Sequence, residues 1–134
     1  MKVVAAILIY NKKILAFKRP FEKNNKIISL KYEFPGGKIN KNETEINALK
    51  RELLEELDLS ISNHKKYYHT SHDYIEFKVD ISFYIVKLID LNFKLNFHKE
   101  YKIVSVENLK TLDWLQADYS VIEHMQKHGI TVTK

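Results

Sequence analysis

The sequence predicts a single α/β domain of the α+β kind, on three observations. Apolar residues run almost unbroken from Val3 to Tyr10 and resume from Ile14 to Phe17. From Tyr74 to Val86 they alternate with polar ones, so that Ile75, Phe77, Val79, Ile81, Phe83 and Ile85 share one strand face. Between these β-rich parts Ile46, Leu49, Leu53 and Leu57 recur at helical spacing. A chain of 134 residues with 45% hydrophobic content suits one domain, 1–134, with a sizeable core.

Taken in order, the first two runs flank Asn11, Lys12 and Lys13, which predicts two strands joined by a tight turn. Lys18, Arg19 and Pro20 close the second strand and open a polar loop. Ile27 to Leu30 and Tyr32 to Phe34 are short extended stretches leading into Pro35, Gly36, Gly37 and Lys38. The helix begins at an N-cap, either Thr44 or Asn42, the latter having capping-box spacing to Glu45. Leu59 to Tyr68 reads as irregular with one short strand, and His69 to His72 as loop, without a third zinc ligand at a suitable distance. Ile103 to Val106 is a further strand. Val121, Ile122 and Met125 line a last helix closed at Gly129, with Asp118 a candidate cap at its start.

The chemistry concentrates on the first helix. Glu52, Glu55 and Glu56 lie at i, i+3 and i+4 beside the apolar stripe. Like charges so spaced destabilise a helix by about 0.2–0.5 kcal/mol per pair, so packing gives no reason to group them. A divalent cation does: Mg²⁺ takes oxygen ligands and keeps waters and substrate phosphates in its shell. Gly36 and Gly37 let the backbone approach a bound group, so that a main-chain carbonyl could join such a shell. The alternative is a solvated acidic face on which Arg51 pairs with Glu55.

From Gly37 through Glu43, Arg51, Glu52, Leu53, Glu55 and Glu56 to Asp58 and Leu59, the spacing resembles the Nudix hydrolase signature G-x5-E-x7-R-E-U-x-E-E-x-G-U, where U is aliphatic. Every defined position matches except the last glycine, replaced by Asp58. That position closes the helix in the left-handed region, which Asp tolerates at a cost of about 1 kcal/mol.

The resemblance implies an α/β/α sandwich around a mixed sheet over essentially the whole chain. It also implies Mg²⁺-dependent hydrolysis, with Mn²⁺ as an alternative, of a nucleoside triphosphate to the monophosphate and pyrophosphate. Substrates of the MutT-like branch are CTP-type pyrimidines or oxidised purines such as 8-oxo-dGTP; dinucleotides, ADP-ribose and sugar nucleotides are alternatives elsewhere in the family. Gly37, Glu52, Glu55 and Glu56 are the implied metal-binding residues, with Glu43 and Gly36 supporting them. Arg51 is implied to hold carboxylates in place. Arg19 and Lys38 are implied phosphate contacts, Asp118 a base-reading carboxylate, and Glu33 a supporter of the nucleotide site. Many family members carry a Glu-His pair near the segment where this chain has Phe97 and His98, so Glu100 is the candidate fourth carboxylate.

Composition narrows the function class. The net charge is +5, yet outside Glu43 to Asp58 the chain carries twenty basic and eleven acidic residues, an acidic site in a basic surround. The lysines are scattered, a poor footprint for a nucleic-acid binder, and no stable nucleic-acid partner is expected. Without cysteine there is no disulfide or thiolate zinc site, and no apolar run spans a membrane, so a cytoplasmic monomer or homodimer is expected. With glycine only at 36, 37 and 129, neither a Walker A loop nor a G-x-G-x-x-G fingerprint can be written. A nucleotide- or RNA-binding module without turnover is the reading from another class.

Overall fold

A computed structural model describes residues 1–130; the last four residues of the expected 1–134 domain lie outside the described residues. Strand β1 (Lys2–Tyr10) turns through Asn11 and Lys12 into β2 (Lys13–Lys18). Both turn residues have positive φ, 50° and 65°, as a two-residue hairpin whose twist suits the flanking strands requires. Then come β3 (Tyr32–Glu33), β4 (Gly36–Lys38), helix α1 (Glu45–Leu57), β5 (Lys65–Asp73), β6 (Lys78–Lys87), β7 (Glu100–Val104) and α2 (Tyr119–His128). Short 3-10 turns at Val106–Thr111 and Gln116–Asp118 precede α2.

The sheet is mixed, as expected. Its seven strands follow the order β3-β2-β1-β6-β5, with β4 also paired to β1 and β7 to β2. β1 runs parallel to β6 and every other pairing is antiparallel. The unbroken apolar run in β1 has a simple cause: both its faces are covered. Val4, Ala6 and Leu8 pack with Ala48, Leu49, Leu53 and Leu57 of α1, while Ala5, Ile7 and Ile9 pack on the other side with Trp114 and with Val121, Ile122 and Met125 of α2. The two cores make the α/β/α sandwich. Among the described residues no helix is long and apolar enough to cross a membrane.

Helix α1 starts at Thr44, whose Oγ1 accepts from the Asn47 N–H at 3.1 Å. Asn42 instead takes a left-handed turn at φ 67°. The helix ends at Asp58, left-handed at φ 53° and ψ 37°, and the Leu59 N–H reaches back to the Leu53 carbonyl at 3.2 Å.

Three expectations are corrected. The strand predicted from Tyr74 begins only at Lys78, because residues 74–77 form the turn from β5 to β6, closed by the Tyr74 N–H on the Phe77 carbonyl at 2.8 Å. Ile75 is therefore fully exposed and Phe77 half exposed rather than inward-facing. His69 and His72 are not in a loop but in β5, opposite Ser82 and Val79, so they point to opposite faces of the sheet and cannot share an ion. The expected extended stretch from Ile27 to Leu30 is turn, and only Tyr32 and Glu33 pair with β2.

Candidate active site

The site lies where the β4 loop meets α1. Gly36 and Gly37 pair with Ala5 and Val4 of β1, and the approach is so close that a Cβ on Gly36 would sit 2.0 Å from the Val4 carbonyl oxygen. A Cβ on Gly37 would sit 2.5 Å from the Glu52 carboxylate. No other residue type fits at Gly36, where the clash is with backbone, and a side chain at Gly37 would displace the Glu52 carboxylate that rests on it.

Arg51 ties this arrangement together. Its Nε and one terminal nitrogen donate to both oxygens of Glu43 at 2.8 and 3.0 Å, the fork geometry of a bidentate pair. The remaining contacts run to Glu52 Oε2 at 2.9 Å, to Glu55 Oε1 at 3.4 Å and to the Lys38 carbonyl at 3.0 Å. Arg51 thus locks the glycine loop to the helix, as a residue that holds carboxylates in place. It holds the Glu43 carboxyl below the usual range. Lys38 itself projects to solvent, and Glu55 lies at the exposed rim.

Glu56 is different. It accepts a hydrogen bond from the Gly36 main chain, yet its Oε1 is buried without a partner. Burial first, then the charges of Glu33 and Glu52, pushes its carboxyl up to about 8. Burial also raises Glu52, against the pull of Arg51. Among the described residues no three His, Asp or Glu side chains form a ready-made cage. The donors nevertheless fit a small hard cation, which binds through one or two carboxylates and keeps waters and substrate phosphates. An orphaned buried carboxyl oxygen beside two further carboxylates has an unused acceptor that a cation would satisfy.

The carboxylate that the sheet brings toward the α1 group is Glu33 rather than Glu100. Strand parity decides this. Glu33 pairs with Phe17, which faces the α1 core, whereas Glu100 pairs with Lys18, as does Tyr32, which faces the α2 core. Glu100 accepts from the Tyr32 hydroxyl at 2.8 Å, and that bond, aided by Lys18, Lys102 and Lys99, keeps its carboxyl low. It is not brought to the α1 carboxylates. Glu33 is, accepting from Arg19 at 3.1 and 3.3 Å and meeting His98 Nε2 at 2.8 Å. His98 and Phe97 escaped the sequence reading as site members. The signal available was the alternation Tyr32, Glu33, Phe34, which sets Glu33 opposite the two aromatics.

Asp118 sits on the other side of the sheet, fully buried, and accepts from the Phe34 main chain. It does not cap α2, since no side-chain cap bond forms and its backbone is already helical. Burial, then the Glu33 charge, raises its carboxyl well above the ordinary value. Tyr74 brings the β5–β6 turn against this residue, its hydroxyl accepting from the Ala117 N–H at 3.3 Å.

A NUDIX domain model matches residues 1–125. The chain belongs to the Nudix family. It is 30% identical over 125 residues to an 8-oxo-dGTP diphosphatase of Buchnera aphidicola subsp. Acyrthosiphon pisum, covering 93% of this chain and 96% of that protein. Among solved structures, the MutT protein of Methanosarcina mazei Go1 superposes with a TM-score of 0.80 at 24% identity, over 95% of this chain and 93% of that one. The E. coli ORF135 protein in solution gives 0.76 at 25% identity, over 98% and 94%. This Nudix chain is a pyrophosphohydrolase, and enzymes of the family generally use divalent metal ions.

Proposed function

We propose that this Nudix enzyme hydrolyses an oxidised purine nucleoside triphosphate of the 8-oxo-dGTP type, giving the monophosphate and pyrophosphate, with Mg²⁺ or Mn²⁺ bound at the α1 carboxylates. The observation that carries the reaction class is the Glu52 carboxylate resting on Gly37 beside the unpartnered oxygen of Glu56. Glu52 and Glu56, with Glu55 at the rim and a carbonyl of Gly36 or Gly37, hold the cation. Once bound, such a cation neutralises phosphate oxygens and supplies a water of lowered pKa.

Arg19 and Lys38 take the phosphate charge from the β2 end and the glycine loop. Glu52 removes a proton from the attacking water, a role suited to a carboxylate whose pKa burial raises. Water adds across the α–β anhydride, splitting the triphosphate into the monophosphate and pyrophosphate. Arg51 keeps Glu52 in place by holding it against Glu43 and the loop.

The purine reading rests on Asp118 and on the relative's name. Asp118 is fully buried, caps nothing, and spends only one bond on the Phe34 main chain, so hydrogen-bonding capacity remains for a base edge. The match over nearly the whole length of a Buchnera protein named 8-oxo-dGTP diphosphatase supports the oxidised purine rather than CTP as the substrate of this chain.

The test is pyrophosphate release with Mg²⁺ over 8-oxo-dGTP, dGTP and CTP, with ADP-ribose and dinucleotides followed by phosphatase-coupled phosphate release. Glu56→Gln and Glu52→Gln are expected to lower kcat by at least about 100-fold while the fold survives. Unchanged activity in both would defeat the metal-site assignment. Asp118→Ala is expected to erode the preference for 8-oxo-dGTP over dGTP; a variant that only melts earlier, with selectivity intact, would remove Asp118 from base reading.

A further inference from the structure

Among the described residues three buried side-chain nitrogen or oxygen atoms have no hydrogen-bond partner: Arg19 Nε, Glu56 Oε1 and His98 Nδ1. All three belong to side chains grouped around one carboxylate. Glu33 binds Arg19 and His98 directly, and its charge acts on Glu56. Unsatisfied buried polar atoms are rare, and three gathered at one place mark a function rather than a packing fault.

Glu56 is accounted for by the cation. Arg19 and His98 form a second unit. The Arg19 guanidinium uses one terminal nitrogen on Glu33, at 3.1 and 3.3 Å, and lies over the Phe97 ring at 5.1 Å. Its Nε and other terminal nitrogen have no protein acceptor among the described residues. A cation fixed on one side by a carboxylate and beneath by an aromatic ring, with donors left over, is prepared for an anion.

His98 fixes the carboxylate. Its ring is fully buried between Phe17, at 5.3 Å, and Phe97, at 4.9 Å, and its Nε2 lies 2.8 Å from Glu33 Oε2. His98 is thus clamped by packing and has one polar contact to give. It meets Glu33 on Oε2, while Arg19 donates more closely to Oε1, at 3.1 Å, so a carboxylate that could otherwise turn is held from both oxygens in a single orientation.

We infer that His98 is a positioning residue which, by holding Glu33 against Arg19, aims the free Arg19 donors at a phosphate of the substrate. The inference rests on the proposed triphosphate reaction for its substrate and on the geometry alone for the chain His98–Glu33–Arg19. His98 touches no substrate atom. Its effect travels through two intervening contacts, and its loss loosens binding rather than chemistry.

The experiment compares His98→Phe, which keeps an aromatic ring in the same packing but removes the donor, with His98→Gln, which restores an N–H at similar reach. His98→Phe is expected to raise KM for the triphosphate about tenfold, the fold-change from losing a hydrogen bond to a charged group, with kcat within about threefold. His98→Gln is expected to recover most of that KM. In Arg19→Ala, adding His98→Phe is expected to change KM no further, since both act through one contact. An unchanged KM in His98→Phe, a fall confined to kcat, or full additivity with Arg19→Ala would overturn the assignment. The side-chain Nε–H resonance of Arg19 gives a readout without turnover. It is expected to be sharp and slowly exchanging in the parent and in His98→Gln, and broadened in His98→Phe. An identical resonance in all three overturns the positioning chain. Absence of triphosphate hydrolysis by the parent protein, with the resonance behaving as expected, overturns the assigned reaction and leaves the chain standing.

Discussion

Burial and the charges of Glu33 and Glu52 keep the Glu56 carboxyl protonated up to about pH 8 when no cation is near. The sign of the consequence follows from linkage. Its folded pKa is raised, so its contribution to stability is whole below the ordinary glutamate value and is lost as pH rises through about 8. Glu56→Gln, which cannot ionise, should therefore melt higher than the parent at pH 8–9 in chelator, with the difference closing near pH 4. Differential scanning calorimetry across that range checks it; a lower melting temperature for Glu56→Gln at pH 9 would contradict the burial argument. The same carboxyl must lose its proton to bind a cation. Mg²⁺ binding at pH 7 is then expected to release close to one proton per site and almost none above pH 9, measured by titration calorimetry in two buffers of different ionisation enthalpy. A residue useful for catalysis is here one that costs the empty protein stability.

At the level of elements, α1 was the part most open to reading from sequence, because a helix writes its apolar stripe and its acidic face directly into residue spacing. Leu49, Leu53 and Leu57 are buried and Glu52, Glu55 and Glu56 project as their spacing requires. Its end was legible too, including the left-handed Asp58. Asp58→Gly is expected to stabilise the protein by about 0.5–1 kcal/mol, because relief of the Cβ clash outweighs the loss of a long, exposed contact to Lys94. Urea unfolding should show a higher midpoint with an unaltered slope, and kcat should not move.

Strands hid more. β5 is polar along most of its length, so the sequence announced only one short strand before Tyr68 and read His69 to His72 as loop. The apolar alternation meanwhile ran on through Ile75 and Phe77, where the chain was already turning. Glu100 was the candidate fourth carboxylate because its nearness to the family's Glu-His segment was visible, whereas its register against Lys18 was not. Glu33 and His98 meet across 65 residues, a contact that only the assembled sheet creates.

The whole molecule is a basic body around an acidic site. With a net charge of +5 and six of the seventeen acidic residues gathered between Glu43 and Asp58, the surrounding field suits the polyphosphate of the proposed reaction. Raising ionic strength from about 50 to 500 mM should lower kcat/KM for the triphosphate more than kcat, since the Debye length shrinks below the distances over which scattered lysines act. A flat dependence, read at constant free Mg²⁺, would show that those lysines serve only solubility. The polar character that concealed β5 has its own consequence. Among the described residues β5 ends the sheet, and a terminal strand is a template on which another chain can extend the ladder. Lys65, Lys66, His69 and Asp73 place bulky, hydrated and charged groups along that template. A second molecule would have to strip their water to add a strand there. The polarity that made β5 hard to read as a strand thus also makes edge-to-edge addition at β5 costly.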